Sequence, residues 1–119
     1  MGDSFQDLKV WQRAIQLSVA IYQLTSLFPD SERFGLTNQL RRASVSIAGN
    51  IAEGYGRATR GEYVQFPGHA HGSSFELQTQ LVIAEQFGFG SAAIRHSTVG
   101  LSEEASRMLV AIMKKLHKP

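Results

Sequence analysis

Four polar side chains between residues 39 and 54 are spaced so that they could bind a ligand together. Arg42, Ser46, Asn50 and Glu53 follow one another at intervals of four, four and three residues, which places them in one stripe along a helix. Arg42 and Asn50 would donate hydrogen bonds to a phosphate or an RNA backbone while Glu53 holds the arginine. Because Glu53 would also repel phosphate, we favour a structural polar stripe that fixes helix register or a subunit interface.

Basic residues around this stripe are candidates for binding nucleic acid. They are Lys9, Arg13, Arg41, Arg42, Arg57 and Arg60. Tyr55 and Tyr63 lie close to them in sequence, and planar side chains stack on unpaired bases. An ordinary solvated surface explains the same residues, and the formal charge of +2 does not by itself indicate a nucleic-acid partner.

Metal binding and catalysis find little support in the sequence. His69 and His71, with His96 or Glu62, are the only residues that suggest a metal site. Histidines two apart point to different sides of a helix, whereas paired helical ligands usually stand four apart. The serines lack a nucleophile-elbow context and the glycines do not form a phosphate loop. We therefore predict no metal, no cofactor, no catalytic residues and no enzymatic activity.

The composition is typical of one small domain that covers residues 1–119. With 43% hydrophobic residues the chain can bury a modest core. It has no cysteine, so neither disulfides nor thiolate metal sites contribute. The first residues do not resemble a signal peptide, and no apolar run approaches the roughly 20 residues that span a bilayer. We predict a cytoplasmic protein.

Apolar residues recur at helical spacing in four segments, approximately 8–28, 36–53, 61–87 and 91–116. Asp7 is the expected N-cap of the first helix, and Gly54 and Gly56 are expected to end the second. The connections are short and no alternating strand pattern appears. These features predict an all-α, up-and-down antiparallel four-helix bundle.

Two of these helices have distinctive side chains. In the first, Trp11, Tyr22 and Phe28 are expected to be core or interface anchors, and Ile15 belongs to the same apolar side. The third has Phe66, Phe75, Leu77, Leu81, Val82, Ile83 and Ala84 on its expected apolar side. Pro67 interrupts the third helix, because proline removes a backbone hydrogen bond. The helix either kinks there or begins there, and a wide bundle mouth would be one result.

The second helix is rich in alanine, serine and glycine, which allow neighbouring backbones to approach closely. We expect protein to surround it, with Asn50 and Glu53 enclosed and hydrogen-bonded at its far end. If its small apolar face exceeds what one bundle can cover, association with further copies of the chain would bury the remainder.

A series of short motifs runs through most of the chain: Leu8-Lys9-Val10-Trp11 with Ala14 and Leu17, Phe28-Pro29 with Glu32 and Phe34-Gly35-Leu36, Gln39 with Arg41-Arg42-Ala43, Ser46, Asn50-Ile51-Ala52-Glu53-Gly54 with Gly56-Arg57, and later Gly72-Ser73, Glu76-Leu77 and Gln80-Leu81. In the order and spacing of these motifs the chain resembles the small four-helix-bundle proteins called 23S rRNA intervening-sequence proteins. Related proteins usually continue as an ordinary helix where this chain has 65–72.

The resemblance implies the same bundle and a homo-oligomer. The accessory protein of diversity-generating retroelements is similar to this family and forms a five-membered ring with a basic surface, so a pentamer is expected. We predict a non-enzymatic binding or scaffold protein whose basic surface meets RNA or a nucleoprotein partner. The alternatives are a purely structural protein-interaction module and, third, a metal-dependent or ligand-dependent activity at the Pro67–Gly72 segment.

Overall fold

The computed structural model describes residues 4–56 and 60–116, and for residues 60–65 and 116 it describes the backbone alone. Four α-helices account for most of this part of the chain: α1 spans Lys9–Thr25, α2 Leu36–Tyr55, α3 Arg60–Phe87 and α4 Ala92–Leu116. Short 3-10 helices at Phe5–Asp7 and Asp30–Glu32 precede α1 and α2. The described ranges contain no strand. The predicted all-α class is confirmed.

The four helices form an up-and-down antiparallel bundle, as predicted. α1 packs against α2 and α4, and α3 packs against the same two helices. Within the described ranges α1 and α3 do not touch each other, so they occupy diagonal corners. Consecutive helices are therefore neighbours, which is the antiparallel arrangement of a bundle with short connections. The outward faces of α1 and α3 point in opposite directions.

Branched aliphatic side chains from all four helices fill the centre. The fully buried ones are Leu17, Ile21, Leu24, Leu40, Ile47, Leu77, Leu81 and Leu109. Each helix in the described part of the chain also carries polar residues, and none is long and apolar enough to cross a membrane. Burial of this aliphatic core is the main source of stability, at about 25 cal/mol for each square ångström of apolar surface removed from water.

Both ends of α1 differ from the prediction. Asp7 does not cap the helix, because it is the last residue of the preceding 3-10 helix and α1 begins only at Lys9. Leu8 occupies the N-cap position and makes no side-chain hydrogen bond there. At the other end α1 stops at Thr25 instead of Phe28. The chain then tightens into a turn in which the Phe28 N–H bonds to the Thr25 carbonyl at 3.0 Å.

The second helix continues past its expected end. α2 runs through Gly54 to Tyr55, so Gly54 does not stop it. Gly54 instead lies at a tight contact between α2 and α3: a Cβ added there would stand 2.5 Å from the Phe66 Cβ. Real Cβ atoms do not come that close, and only glycine fits this position.

The third helix contains Pro67 in its interior. α3 begins at Arg60, well before the proline, and remains helical through it. The alternative in which the helix begins near Pro67 is therefore wrong. Pro67 itself is buried, whereas Gly68 and Gly72 lie on the outside, where an added Cβ would meet nothing within 4 Å. Packing against the other helices offsets the backbone hydrogen bond that proline removes.

The turn between α3 and α4 depends on two glycines with positive φ. Gly88 has a φ of 69° and Gly90 a φ of 78°, a region that other L-residues rarely adopt. Gly90 also approaches α1 closely, since an added Cβ would lie 2.8 Å from the Leu24 Cδ1. Between the glycines, Phe89 turns inward onto Phe28 with 5.5 Å between ring centroids. This turn closes the end of the bundle at which α1 finishes.

Candidate functional surfaces

The predicted polar stripe divides into a bonded centre and two exposed ends. Asn50 Nδ2 donates to the Ser46 carbonyl at 2.8 Å and to its hydroxyl at 3.1 Å. The Ser46 hydroxyl also bonds to that of Ser73 on α3 at 3.1 Å. Arg42 and Glu53 are exposed and lie eleven residues apart in the helix, a rise of roughly 16 Å. Glu53 therefore does not hold Arg42.

The expectation that protein surrounds α2 is wrong on one side of this helix. Asn50 is half-buried and hydrogen-bonded as described above, but Glu53 is exposed. Val45 is 52% exposed, and a Cβ on Gly49 would meet nothing within 4 Å. The small residues allow close packing at Gly54 and on the inner side, while the outer side of the same helix faces solvent.

Arg42 lies in a groove between α2 and α3. The groove encloses about 410 Å³ and is lined by Asn38, Gln39, Arg42, Ala43, Ser46, Ser73 and Glu76. Its amides, hydroxyls and arginine provide hydrogen-bond donors that suit phosphate oxygens. The carboxylate of Glu76 lies in the same groove and opposes an anion.

Arg41, although adjacent to Arg42, faces α1. Its Nε donates to the Thr25 hydroxyl at 2.9 Å, and its guanidinium carbon lies 4.5 Å from the centroid of the Tyr22 ring. A cation over an aromatic face is attracted to it. Two contacts thus hold Arg41 between α1 and α2, on the other side of α2 from the Arg42 groove.

The remaining basic candidates lie elsewhere. Arg13 pairs with Glu104 of α4, and Lys9 lies in the same groove between α1 and α4. Arg57 and the side chain of Arg60 are outside the described residues. The described basic candidates thus face three different grooves of the bundle, and no single patch within one subunit combines them.

His71 makes a contact that the sequence did not reveal. Its Nε2 lies 3.0 Å from the Ser106 hydroxyl on α4, and its ring lies 4.3 Å from that of Phe75. Glu103 and Arg107 line the same groove of about 460 Å³ between α3 and α4. A serine beside a histidine is the first pair of a nucleophilic site. No carboxylate among the described residues bonds to the histidine to orient it, so the contact links two helices.

The other histidines are not assembled with it into a metal site. His69 and His96 are exposed. Among the described residues, no group of three or more His, Cys, Asp or Glu side chains converges as a metal ion requires. The ring of His69 packs edge-on against Phe66, with centroids 5.8 Å apart.

Two apolar faces on the outside of the bundle were missed by the sequence analysis. The first, the α1 face, consists of Ile15, Val19 and Tyr22, which are 37%, 52% and 46% exposed. Together they line an apolar groove. Ile15 was assigned to the apolar side of α1 and Tyr22 was expected to be a core or interface anchor, but α1 buries the strip that contains Leu17 and Ile21. Trp11 is half-buried and Phe28 is buried, so only Tyr22 of the three aromatic anchors lies on the outside.

The second, the α3 face, consists of Phe75, Val82 and Ile83, which are 54%, 58% and 41% exposed. They were assigned to the apolar side together with Leu77 and Leu81. Since α3 has apolar residues around much of its circumference, spacing alone did not show which of them enter the core. α1 and α3 are diagonal, and the two faces therefore lie on opposite sides of the bundle.

Comparison with known proteins identifies a matching family and similar solved structures. A family model described as 23S rRNA-intervening sequence protein matches residues 6–111. The crystal structure of a protein of unknown function from the S23 ribosomal protein family of Bacteroides thetaiotaomicron is similar, with a TM-score of 0.81 and 22% identity over 88% of this chain and 98% of that chain. At that identity the likeness concerns the fold alone. No curated protein matches the chain.

Proposed function

This chain belongs to the 23S rRNA-intervening sequence protein family, and we propose that it is a non-enzymatic scaffold that assembles with copies of itself in the cytoplasm. The observation that carries this proposal is the pair of apolar faces on opposite sides of the bundle. Each presents large aliphatic and aromatic side chains to solvent. Exposed apolar side chains that cluster in this way are typical of surfaces that bind other proteins.

The positions of the two faces favour a head-to-tail assembly over a simple dimer. The α1 face and the α3 face have different residues and point in opposite directions, so the α1 face of one copy can pack on the α3 face of the next. Contacts between two different surfaces are head-to-tail, and such contacts close into rings when the rotation between subunits allows it. The number of subunits that we propose is five, on the basis of the resemblance to the pentameric retroelement accessory protein.

A nucleic-acid partner, RNA or a nucleoprotein, is supported by the exposure of Arg42 and the donors beside it. Asn38 and Gln39 lie in the same groove and can donate to phosphate oxygens. Glu76 weakens the attraction of any one groove for phosphate. Repetition around a ring compensates, because several weak contacts on one assembly act at high effective concentration. Arg57 and Arg60 stay candidates on the basis of the sequence.

We predict that replacing Arg42 by glutamate weakens RNA binding by the assembled protein. Each arginine that contacts a phosphate contributes about 0.7 to the slope of log affinity against log salt for a single strand, so the variant should also show a shallower slope. Fluorescence anisotropy with a labelled single-stranded RNA at several salt concentrations measures both quantities. The matched control is Arg33→Glu, which changes the net charge equally but removes an exposed arginine that stacks on Phe34. Equal losses in both variants would contradict a site at Arg42.

The experiment that tests the proposed function as a whole is the solution mass by light scattering, with and without a mixed cellular RNA pool at low and high salt. An oligomer that binds RNA only at low salt supports the full proposal. An oligomer that does not bind RNA at either salt concentration supports the purely structural alternative, in which the apolar faces and the polar stripe serve assembly alone. A mass equal to that of the single chain at all protein concentrations would contradict the scaffold proposal.

A further inference from the structure

One end of the bundle contains an apolar cavity that the closely packed core does not fill. It lies where α1 and α3 begin and where α2 and α4 finish, and its volume is about 260 Å³. All four helices contribute to its lining, which consists among the described residues of Leu8, Val10, Ile51, Gly54, Pro67, Leu109, Ile112 and Lys115. An apolar cavity of about 150 Å³ is already large enough to bind a benzene ring.

The walls of this cavity are fixed by well-buried residues. Val10 and Leu109 are 3% and 0% exposed. Both belong to the hydrophobic core and also line the cavity. Gly54 lies against Phe66, so α2 and α3 are in close contact beside the cavity. Pro67 has no backbone N–H to offer to a ligand, so its contribution to the wall is its ring. The cavity is therefore a feature of packed helices, and its interior offers apolar contacts.

Lys115 gives the cavity a charged mouth. Leu109, Ile112 and Lys115 follow one another at intervals of three along α4, so they rise from the floor to the opening over about 9 Å. Exposure increases in the same order, from the buried Leu109 through the half-buried Ile112 to the exposed Lys115. Lys115 is the only ionisable side chain in the described lining.

We propose that this cavity binds a small amphiphilic carboxylate, a short acyl chain or a single aromatic ring that ends in an acid. The apolar part occupies the space between Val10, Ile51 and Leu109, where burial removes its surface from water. The carboxylate remains at the mouth and pairs with the Lys115 ammonium, which keeps it partly hydrated. A uniformly polar molecule would lose its hydrogen bonds to water inside this cavity and gain none.

Titration calorimetry with octanoate tests the proposal, with 1-octanol as the uncharged probe of the same length. We expect saturable octanoate binding to the full chain and weaker binding of octanol. In Lys115→Ala octanoate should bind about fivefold more weakly, the upper end for a partly exposed ion pair, while octanol affinity stays the same. Lys114→Ala is the matched control, because it removes the neighbouring exposed lysine, which does not line the cavity, and should change neither affinity.

A second variant tests the location independently of the charge. Ile112 is half-buried at the rim, so Ile112→Trp adds a ring that fills the cavity and should abolish binding of both probes, while circular dichroism confirms that the variant is helical. The proposal is wrong if octanoate does not bind the wild type, or if Ile112→Trp binds octanoate with the affinity of the wild type. Equal losses of octanol and octanoate in Lys115→Ala overturn the carboxylate pairing. None of these outcomes depends on the scaffold function.

Discussion

Glutamate at position 19 or at position 82 is expected to prevent closure of the ring and to lower the solution mass toward that of the single 13.1 kDa chain. Val19 lies in the α1 face and Val82 in the α3 face, and they are 52% and 58% exposed in the single chain. Replacing them leaves the core intact, because neither side chain is in it. In the assembly, however, the new carboxylate would be buried against apolar side chains without a partner, which is strongly unfavourable.

Mixing the two variants distinguishes a head-to-tail assembly from a symmetric one. Val19→Glu keeps an intact α3 face, and Val82→Glu keeps an intact α1 face. If α1 faces pack on α3 faces, each variant alone is a monomer and the mixture forms a one-to-one complex that cannot grow further. If each face packs on a copy of itself, each variant alone remains a dimer. Light scattering of the two variants and of their mixture separates these results.

Ser97→Glu provides the control for added charge. Ser97 is exposed on α4, outside both apolar faces, so this variant should keep the mass of the wild type. Circular dichroism of all three variants shows whether the helices are intact. If Val19→Glu and Val82→Glu both retain the wild-type mass, the apolar faces do not mediate assembly and the scaffold proposal loses the observation that carries it.

Two glycines in α2 are expected to respond to alanine with opposite signs. Gly54→Ala should lower the free energy of unfolding by about 1–3 kcal/mol, the usual range for overpacking a tight contact. The added Cβ would stand 2.5 Å from the Phe66 Cβ. That atom is attached directly to the α3 backbone, so relief requires the two helices to move apart. Urea unfolding at one fixed protein concentration measures the change, since assembly makes stability depend on concentration.

Gly49→Ala is the matched control for this change. Gly49 lies in the same helix, and a Cβ there would meet nothing within 4 Å. Alanine should raise the free energy of unfolding by roughly 0.5–1 kcal/mol, because glycine in a helix loses more backbone freedom on folding. If both alanine variants destabilise the protein by similar amounts, the close approach of α2 and α3 at Gly54 is not what distinguishes the two positions.

The fold was accessible from sequence because its signals are local. The 3.6-residue periodicity and the short connections between the helices act over a few neighbouring residues. The sequence-based predictions were wrong where local signals compete with packing. Asp7 is a good N-cap residue by type, but it lies within the preceding 3-10 helix and Leu8 takes the N-cap position.

The candidate sites were less accessible, because they depend on which helix lies beside which. Arg41 and Arg42 are adjacent in sequence, yet Arg41 contacts α1 and Arg42 lies in the groove between α2 and α3. The contact between His71 and Ser106 joins residues 35 positions apart, and no local sequence pattern predicts it. The stripe from Arg42 to Glu53 was correctly placed on one helix, but its length along the axis separates its two ends.

The sequence by itself determined that this chain forms four helices in an up-and-down bundle, because helix formation and chain reversal depend on neighbouring residues. The tertiary structure alone decided which apolar residues enter the core and which remain outside. Leu77 and Phe75 are two positions apart in α3. The placement of α2 and α4 decides that Leu77 is buried and Phe75 is exposed. The apolar faces and the cavity near Pro67 follow from that placement, since each depends on side chains from several helices or on the relation between them.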